Sequence, residues 1–210
     1  MNADPIARTY RLLEYAAFGP LLWRTRTHFI HHLTTARRIL ILGEGDGRFL
    51  SRLLTLNPHA EIDCYDLSAK MLTLAASRTT QHHHRLHFHH QDILQATLPT
   101  HTYDAIVANF FFDCFDNHQL TTLLQKLQPA TQPNCLWLLS DFAIPTNPLP
   151  RLAAQLLTRF LYLCFRLTTG LTTRHLPNYE TALTQANLHL QNRHDTLAGL
   201  LTTQLWQPPY

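Results

Sequence analysis

Between Pro5 and Leu33 apolar residues return every three or four positions, the spacing of helices that bury one face, and Gly19-Pro20 interrupts the run. Two helices are predicted there, as an N-terminal helical cap over residues 1–35. The period then changes. Arg38-Ile39-Leu40-Ile41-Leu42 is a short β-branched and aliphatic run, Gly43-Glu44-Gly45-Asp46-Gly47 breaks it, and Phe49, Leu50, Leu53 and Leu54 resume helical spacing. The segment reads as strand, glycine loop and helix. Asn57-Pro58 stops that helix, a second strand runs from Glu61 to Tyr65 and closes at Asp66, and Ser68 caps a helix through Met71, Leu72 and Ala75. A third strand spans Leu86 to His90 and ends at Gln91-Asp92-Ile93. A fourth, Tyr103 to Ala108, ends at Asn109 and an aromatic cluster, and a fifth, Leu136 to Ser140, ends at Asp141-Phe142. Beyond Pro145, Pro148 and Pro150, residues 151–170 and 178–186 read as helices, and His189 to Trp206 as two strands joined through Leu197-Ala198-Gly199.

Strands that alternate with helices predict an α/β fold, a mostly parallel sheet with helices on both faces. At 210 residues the chain fits one domain, 1–210. Its expected parts are the cap, a core over 36–145, a helical insertion over 146–187 and a closing hairpin over 188–210. In such sheets ligands bind outside the carboxyl ends of the strands, where the strand order reverses.

Helix 151–170 carries Gln155, Arg159, Tyr162, Arg166 and Thr169 as one polar stripe on an otherwise apolar surface. The stripe is expected to face solvent or membrane headgroups. The apolar remainder is expected to pack on the sheet or to cover a substrate pocket, and peripheral membrane contact through this helix is a candidate interaction. Arg159 and Arg166 make the stretch too charged for a routine membrane span.

Composition narrows the classes. With 45% hydrophobic and 15% charged residues the chain can bury a core. Its net charge of +3 is scattered, with no basic run to track a phosphate backbone, so no nucleic-acid partner is expected. Cys64, Cys114, Cys135 and Cys164 are widely spaced in apolar stretches and form no metal or redox pair. The first residues carry charges where a signal peptide is apolar, which predicts a cytoplasmic protein. The histidines at 82, 83, 84, 87, 89 and 90 lie before and along the third strand, where alternation sends neighbours to opposite faces; they read as a solvated stretch, and no metal site is predicted.

The chemistry collects at strand ends. Glycines 43, 45 and 47 let the backbone turn sharply and approach a ligand, and the following helix offers unpaired N–H groups. A dinucleotide fingerprint requires a further glycine where Arg48 stands, which disfavours NAD and FAD. Asp66 can accept from ribose hydroxyls, Asp92 from an adenine amino group, and Ile93 can cover the ring. Asp113, within Asn109-Phe110-Phe111-Phe112-Asp113-Cys114-Phe115, is a candidate general base whose aromatic surroundings would raise its pKa, although acids in such places more often cap the next helix or hydrogen-bond the loop.

With these residues in place, the sequence resembles the class I S-adenosylmethionine-dependent methyltransferases over residues 36–145. The resemblance implies a three-layer Rossmann-like sandwich whose seven-stranded sheet has an antiparallel last strand. It implies that Gly43, Glu44, Gly45 and Gly47 hold the methionine part of S-adenosylmethionine, Asp66 and Leu67 the ribose, and Asp92 and Ile93 the adenine. Asn109 and Phe110 would line the methyl-transfer site, and S-adenosylhomocysteine would be the product. The family usually carries an acid two places before the first loop glycine, where this chain has Ile41. Glu44, or a cap residue such as Tyr10, is expected to substitute; otherwise cofactor affinity falls. A small aromatic or lipid-like acceptor is the first reading. RNA or protein methylation is the second, and a non-enzymatic partner that keeps the fold is the third.

Overall fold

In the computed structural model, residues 1, 2, 6, 8, 9, 146, 172, 174 and 210 lie outside the described residues, as do the side chains at 10, 11, 13, 149, 150 and 153. Seven strands form one sheet in the order β3-β2-β1-β4-β5-β7-β6. Strand β1 (Arg38–Leu42) pairs in parallel with β2 (Glu61–Asp66) and with β4 (Tyr103–Asn109). Outward from these lie β3 (Leu86–His90) beside β2 and β5 (Thr131–Phe142) beside β4, both parallel. The chain's last strand, β7 (Leu201–Gln207), enters antiparallel between β5 and β6 (His189–Thr196). The predicted mostly parallel sheet with an antiparallel last strand is therefore present. The strand order reverses between β1 and β4.

Strand β1 is apolar at successive positions because both of its faces are covered. Leu40 and Leu42 join one core cluster with Ile106, Leu120, Leu124 and Trp137, from β4, β5 and helix α5 (Asn117–Leu127). Ile39 and Ile41 join the opposite cluster with Phe29, Leu33, Phe49 and Leu53, the last two from helix α3 (Arg48–Leu56). Helix α4 (Ala69–Arg78) starts at Ser68, whose hydroxyl accepts from the Met71 N–H at 3.1 Å, as its sequence predicts. The N-terminal helices α1 (Tyr10–Phe18) and α2 (Leu21–Thr27) place Phe18 and Leu22 against Phe142, Leu200 and Leu201. Helix α7 (Tyr179–Gln185) covers the first face through Tyr179 and Leu183.

Three expectations are corrected. Strand β5 begins at Thr131, before the predicted Leu136, and Gln132, Pro133 and Asn134 form its exposed end. Helix α6 (Pro148–Thr169) starts three residues before the predicted 151, because prolines in a first turn lack only N–H groups that the helix does not use.

The third correction divides the polar stripe, whose Arg159 and Arg166 are exposed as expected. Tyr162 and Thr169, read as part of a solvent-facing stripe, are buried, whereas Leu152, Leu156, Phe160, Leu163 and Leu167 are exposed. The inward side is built from Ala154, Thr158, Tyr162 and Thr169. Thr158 donates to the Ala154 carbonyl at 2.8 Å, Thr169 to the Phe165 carbonyl at 2.6 Å, and the Tyr162 hydroxyl to the Asp113 carbonyl at 2.8 Å. Each buried hydroxyl has a partner, so burial costs little. No helix among the described residues is long and apolar enough to cross a membrane.

Candidate active site

The turn from β1 to α3 is held in the left-handed region at Gly45 (φ 71°) and Gly47 (φ 82°), a conformation that side-chain-bearing residues rarely adopt. The two positions differ in what surrounds them. A Cβ on Gly47 would lie 2.5 Å from the Ala75 Cα, so this glycine lets α3 and α4 approach. A Cβ on Gly45 would meet nothing within 4 Å, because it would project into a cavity.

That cavity sits at the β1/β4 reversal and holds about 1230 Å³ of empty space, part of it open to solvent. Gly43, Glu44, Gly45, Asp66, Leu67, Asp92, Ile93, Asn109 and Phe110 all line it. Gly47 does not; it is buried in the α3–α4 contact instead. Asp66 is fixed at the end of β2 by the Ser68 N–H at 2.8 Å and the Gly45 N–H at 3.3 Å, while burial raises its pKa against those two bonds. Asp92, just past β3, accepts from the Leu94 N–H at 2.9 Å. Asn109 Oδ1, at the end of β4, is buried without a hydrogen-bond partner, an arrangement that costs free energy until a donor enters the cavity.

Ile41 lies in the core at 1% exposure, so no acid stands under the loop from β1. Glu44 brings one from within the loop. Its carboxylate accepts from the Leu50 N–H at 2.9 Å, near the start of α3. Burial pushes its pKa up to about 8, and Asp46 and Asp66 push in the same direction, while the Leu50 amide and Arg26 pull it down. The side chain of Tyr10, the other expected substitute, lies outside the described residues.

Asp113 does not line the cavity. Its carboxylate accepts from the Cys114 thiol at 3.5 Å, and its N–H donates to Asp141 Oδ2 at 3.2 Å. Burial raises the pKa of Asp113 to about 6 and that of Asp141 further, with Asp113 adding to the effect on Asp141. Nor does Asp113 cap α5: Asp116 accepts from the Gln119 N–H at 2.8 Å, and Gln119 returns a bond to the Asp116 N–H.

Other cavity residues were not read from the sequence. Arg26, from α2, places its guanidinium carbon 4.9 Å from the centre of the Phe110 ring and pairs with Glu14. Glu14 also holds Arg48 at 2.6 Å, and Arg48 holds Asp46 at 2.8 Å, so an ion-pair chain ties the cap to the glycine loop. Phe110 itself has φ 53°, which costs a bulky residue about 1–2 kcal/mol and aims the ring at Phe142, 5.2 Å away between centroids. Phe111, Phe115, Cys114 and Gln119 complete that side of the cavity.

The family model described as a methyltransferase domain matches residues 39–134. The match makes this stretch similar to a methyltransferase domain. The match runs from β1 into β5 and contains the glycine loop, Asp66, Asp92, Asn109 and Phe110. Arg26 and helix α6 lie outside it. The domain is also similar to malonyl-[acyl-carrier protein] O-methyltransferase of Halalkalibacterium halodurans, at 34% identity over 113 residues, 52% of this chain. The aligned stretch is 41% of that relative's length. Among solved structures, mitomycin 7-O-methyltransferase MmcR superposes with a TM-score of 0.70 at 15% identity, covering 96% of this chain and 58% of its own. N-methyltransferase NodS from Bradyrhizobium japonicum, solved with S-adenosyl-L-homocysteine, gives 0.63 at 16% identity, covering 90% and 85%. These likenesses show the fold, the Rossmann-like sandwich of the methyltransferases.

Proposed function

We propose that the chain transfers a methyl group from S-adenosylmethionine to a small aromatic or lipid-like acceptor and releases S-adenosylhomocysteine. The observation that carries this reading is the convergence of Gly45, Asp66, Asp92 and Asn109, from four successive strand ends, on one cavity at the strand-order reversal. The residues fit the cofactor. Glu44 would meet its ammonium group, Asp66 its ribose hydroxyls and Asp92 its adenine amino group, with Ile93 against the ring. The unpartnered Asn109 oxygen awaits a donor on the methyl-transfer side. The cofactor supplies a sulfonium-bound methyl group, an electrophile that needs no metal.

The chain's own part is to bind, align and exclude water. The acidic residues that line the cavity, Glu44, Asp46, Asp66 and Asp92, belong to the loop, to strand β2 and to the turn just past β3. On the opposite side stand Phe110, Phe111, Phe115 and Cys114, and burial holds the Cys114 thiol well above its ordinary pKa. Aromatic walls favour an apolar acceptor and strip water from it. The Arg26 charge over Phe110 favours an acceptor atom that arrives as an anion or becomes one. With the Asp113 carboxylate behind the cavity wall, catalysis rests on alignment and desolvation. Two relatives carry names of O-methyltransferases, which agrees with an oxygen acceptor.

Titration calorimetry with S-adenosylmethionine and S-adenosylhomocysteine tests the reading. Micromolar binding of both, followed by methyl transfer to phenolic, quinone-like or fatty-acid acceptors, is the expected result. A folded protein that binds neither overturns it.

A further inference from the structure

Helix α6 leaves its largest apolar side chains in water. Leu152, Leu156, Phe160, Leu163 and Leu167 are 53–79% exposed and follow one another at four, four, three and four residues, one stripe along four turns. Arg159 and Arg166, both exposed, lie one helical step to the side of it. From residue 142 through 179 the sequence carries four arginines, at 151, 159, 166 and 174, and no acid.

We propose that this face of α6 docks on the surface of a membrane rich in anionic lipid, with the leucines and Phe160 in the acyl boundary and the arginines at the phosphates. An interfacial helix has this composition, an apolar strip edged by long cationic side chains whose stems reach along the strip while their heads stay at headgroup level. Charge decides between a lipid surface and a second copy of the chain. A two-fold contact between α6 helices would bring arginines together with no carboxylate on either helix to receive them. An anionic lipid surface supplies the missing charge. The inward side of the same helix holds the carbonyl of Asp113 through Tyr162, and Thr173 donates to the carbonyl of Cys114 at 2.9 Å. The docking face is therefore one helix thickness from the aromatic side of the cavity, where a lipid-like acceptor would enter. The docking itself does not depend on methyl transfer.

The test is flotation of the full chain, without cofactor, with vesicles of phosphatidylcholine alone and of phosphatidylcholine mixed with phosphatidylglycerol, at low and high salt. Binding to the mixed vesicles that weakens with salt is expected. Arg159→Gln should weaken it about fivefold, the contribution of one basic residue at an anionic surface. The double variant Leu156→Glu, Phe160→Glu should reduce it more than tenfold while melting temperature stays unchanged, since both side chains already face water. A folded wild-type chain that ignores the mixed vesicles overturns the proposal. So does light scattering that finds a dimer abolished by the double variant without any vesicle binding, because the second copy is then the occupant.

Discussion

Glu44→Gln isolates the residue that stands in for the acid missing at Ile41. With a pKa of about 8, the Glu44 carboxyl is about nine-tenths protonated at pH 7. An ammonium group in contact with a carboxylate lowers its pKa by about 1–3 units, so a value near 6 is expected in the cofactor complex. Binding at pH 7 should then expel about 0.8 proton from Glu44, and the Glu44 share of affinity should rise about 25-fold between pH 6 and pH 8. Calorimetry at pH 7 in buffers of different ionisation enthalpy reads the proton count directly. The cofactor's own amine titrates near pH 8 in both proteins, so the difference between wild type and Glu44→Gln isolates the side chain. The folded pKa lies above the ordinary 4.5, so the Glu44 contribution to ligand-free stability is complete below pH 4.5 and is lost as pH rises through 8. Glu44→Gln should accordingly melt higher than wild type at pH 8 without cofactor. Equal proton release by the two proteins would refute the assignment and return the role to another residue.

Four further substitutions separate the fold from the site. Gly45→Ala should cost about 1–2 kcal/mol for its left-handed backbone, whereas Gly47→Ala adds the clash with Ala75, about 1–3 kcal/mol more. Thermal melting should rank them in that order, while cofactor titration should find Gly45→Ala the weaker binder relative to its stability. Asp66→Ala should remove measurable cofactor binding and leave the far-ultraviolet circular dichroism unchanged, because its partners Gly45 and Ser68 lie in the cavity loops. Asp113→Asn should leave turnover within a few-fold of wild type. It should also raise the melting temperature at pH 8 but not at pH 4, since the raised pKa of Asp113 makes its contribution complete below 3.8 and lost as pH climbs through about 6. A large fall in turnover with unchanged stability would restore Asp113 as a base.

The cofactor side of the cavity was legible because its signals are local. A strand, a turn and a helix start lie within a dozen residues of one another, and Gly43 through Gly47, Asp66 and Asp92 each follow a strand that the sequence predicts. The other side was legible only in Asn109 and Phe110, which follow β4. Arg26 sits in a helical cap where nothing in the spacing says which way the helix packs, and it reaches Phe110 across 84 positions of sequence. Phe110 carries no sign of its positive φ, since glycine or asparagine would be the usual residue there. The capping acid of α5 was misplaced for a related reason. Asp116 has Gln119 three residues on and closes a capping box, whereas Asp113 lies in the short turn Phe112–Cys114 and hydrogen-bonds within it.

Helix α6 shows why counting polar residues does not assign a face, since Arg159 and Arg166 lie in water whereas Tyr162 and Thr169 are buried. Threonine and tyrosine can enter a core when their hydroxyls find carbonyls nearby, and Thr158, Thr169 and Tyr162 each do so without help from a distant charged group. A leucine has no comparable way to satisfy itself in water. Burying each of the five outward side chains of α6 would gain about 1.5–3 kcal/mol, so a stripe of them left exposed on a folded chain is free energy still available to an outside apolar phase. The stripe has no counterpart within residues 39–134, whose large apolar side chains are, apart from Leu67, at most partly exposed. The matched domain thus satisfies its own apolar surface, and the segment outside the match is the one that seeks a partner.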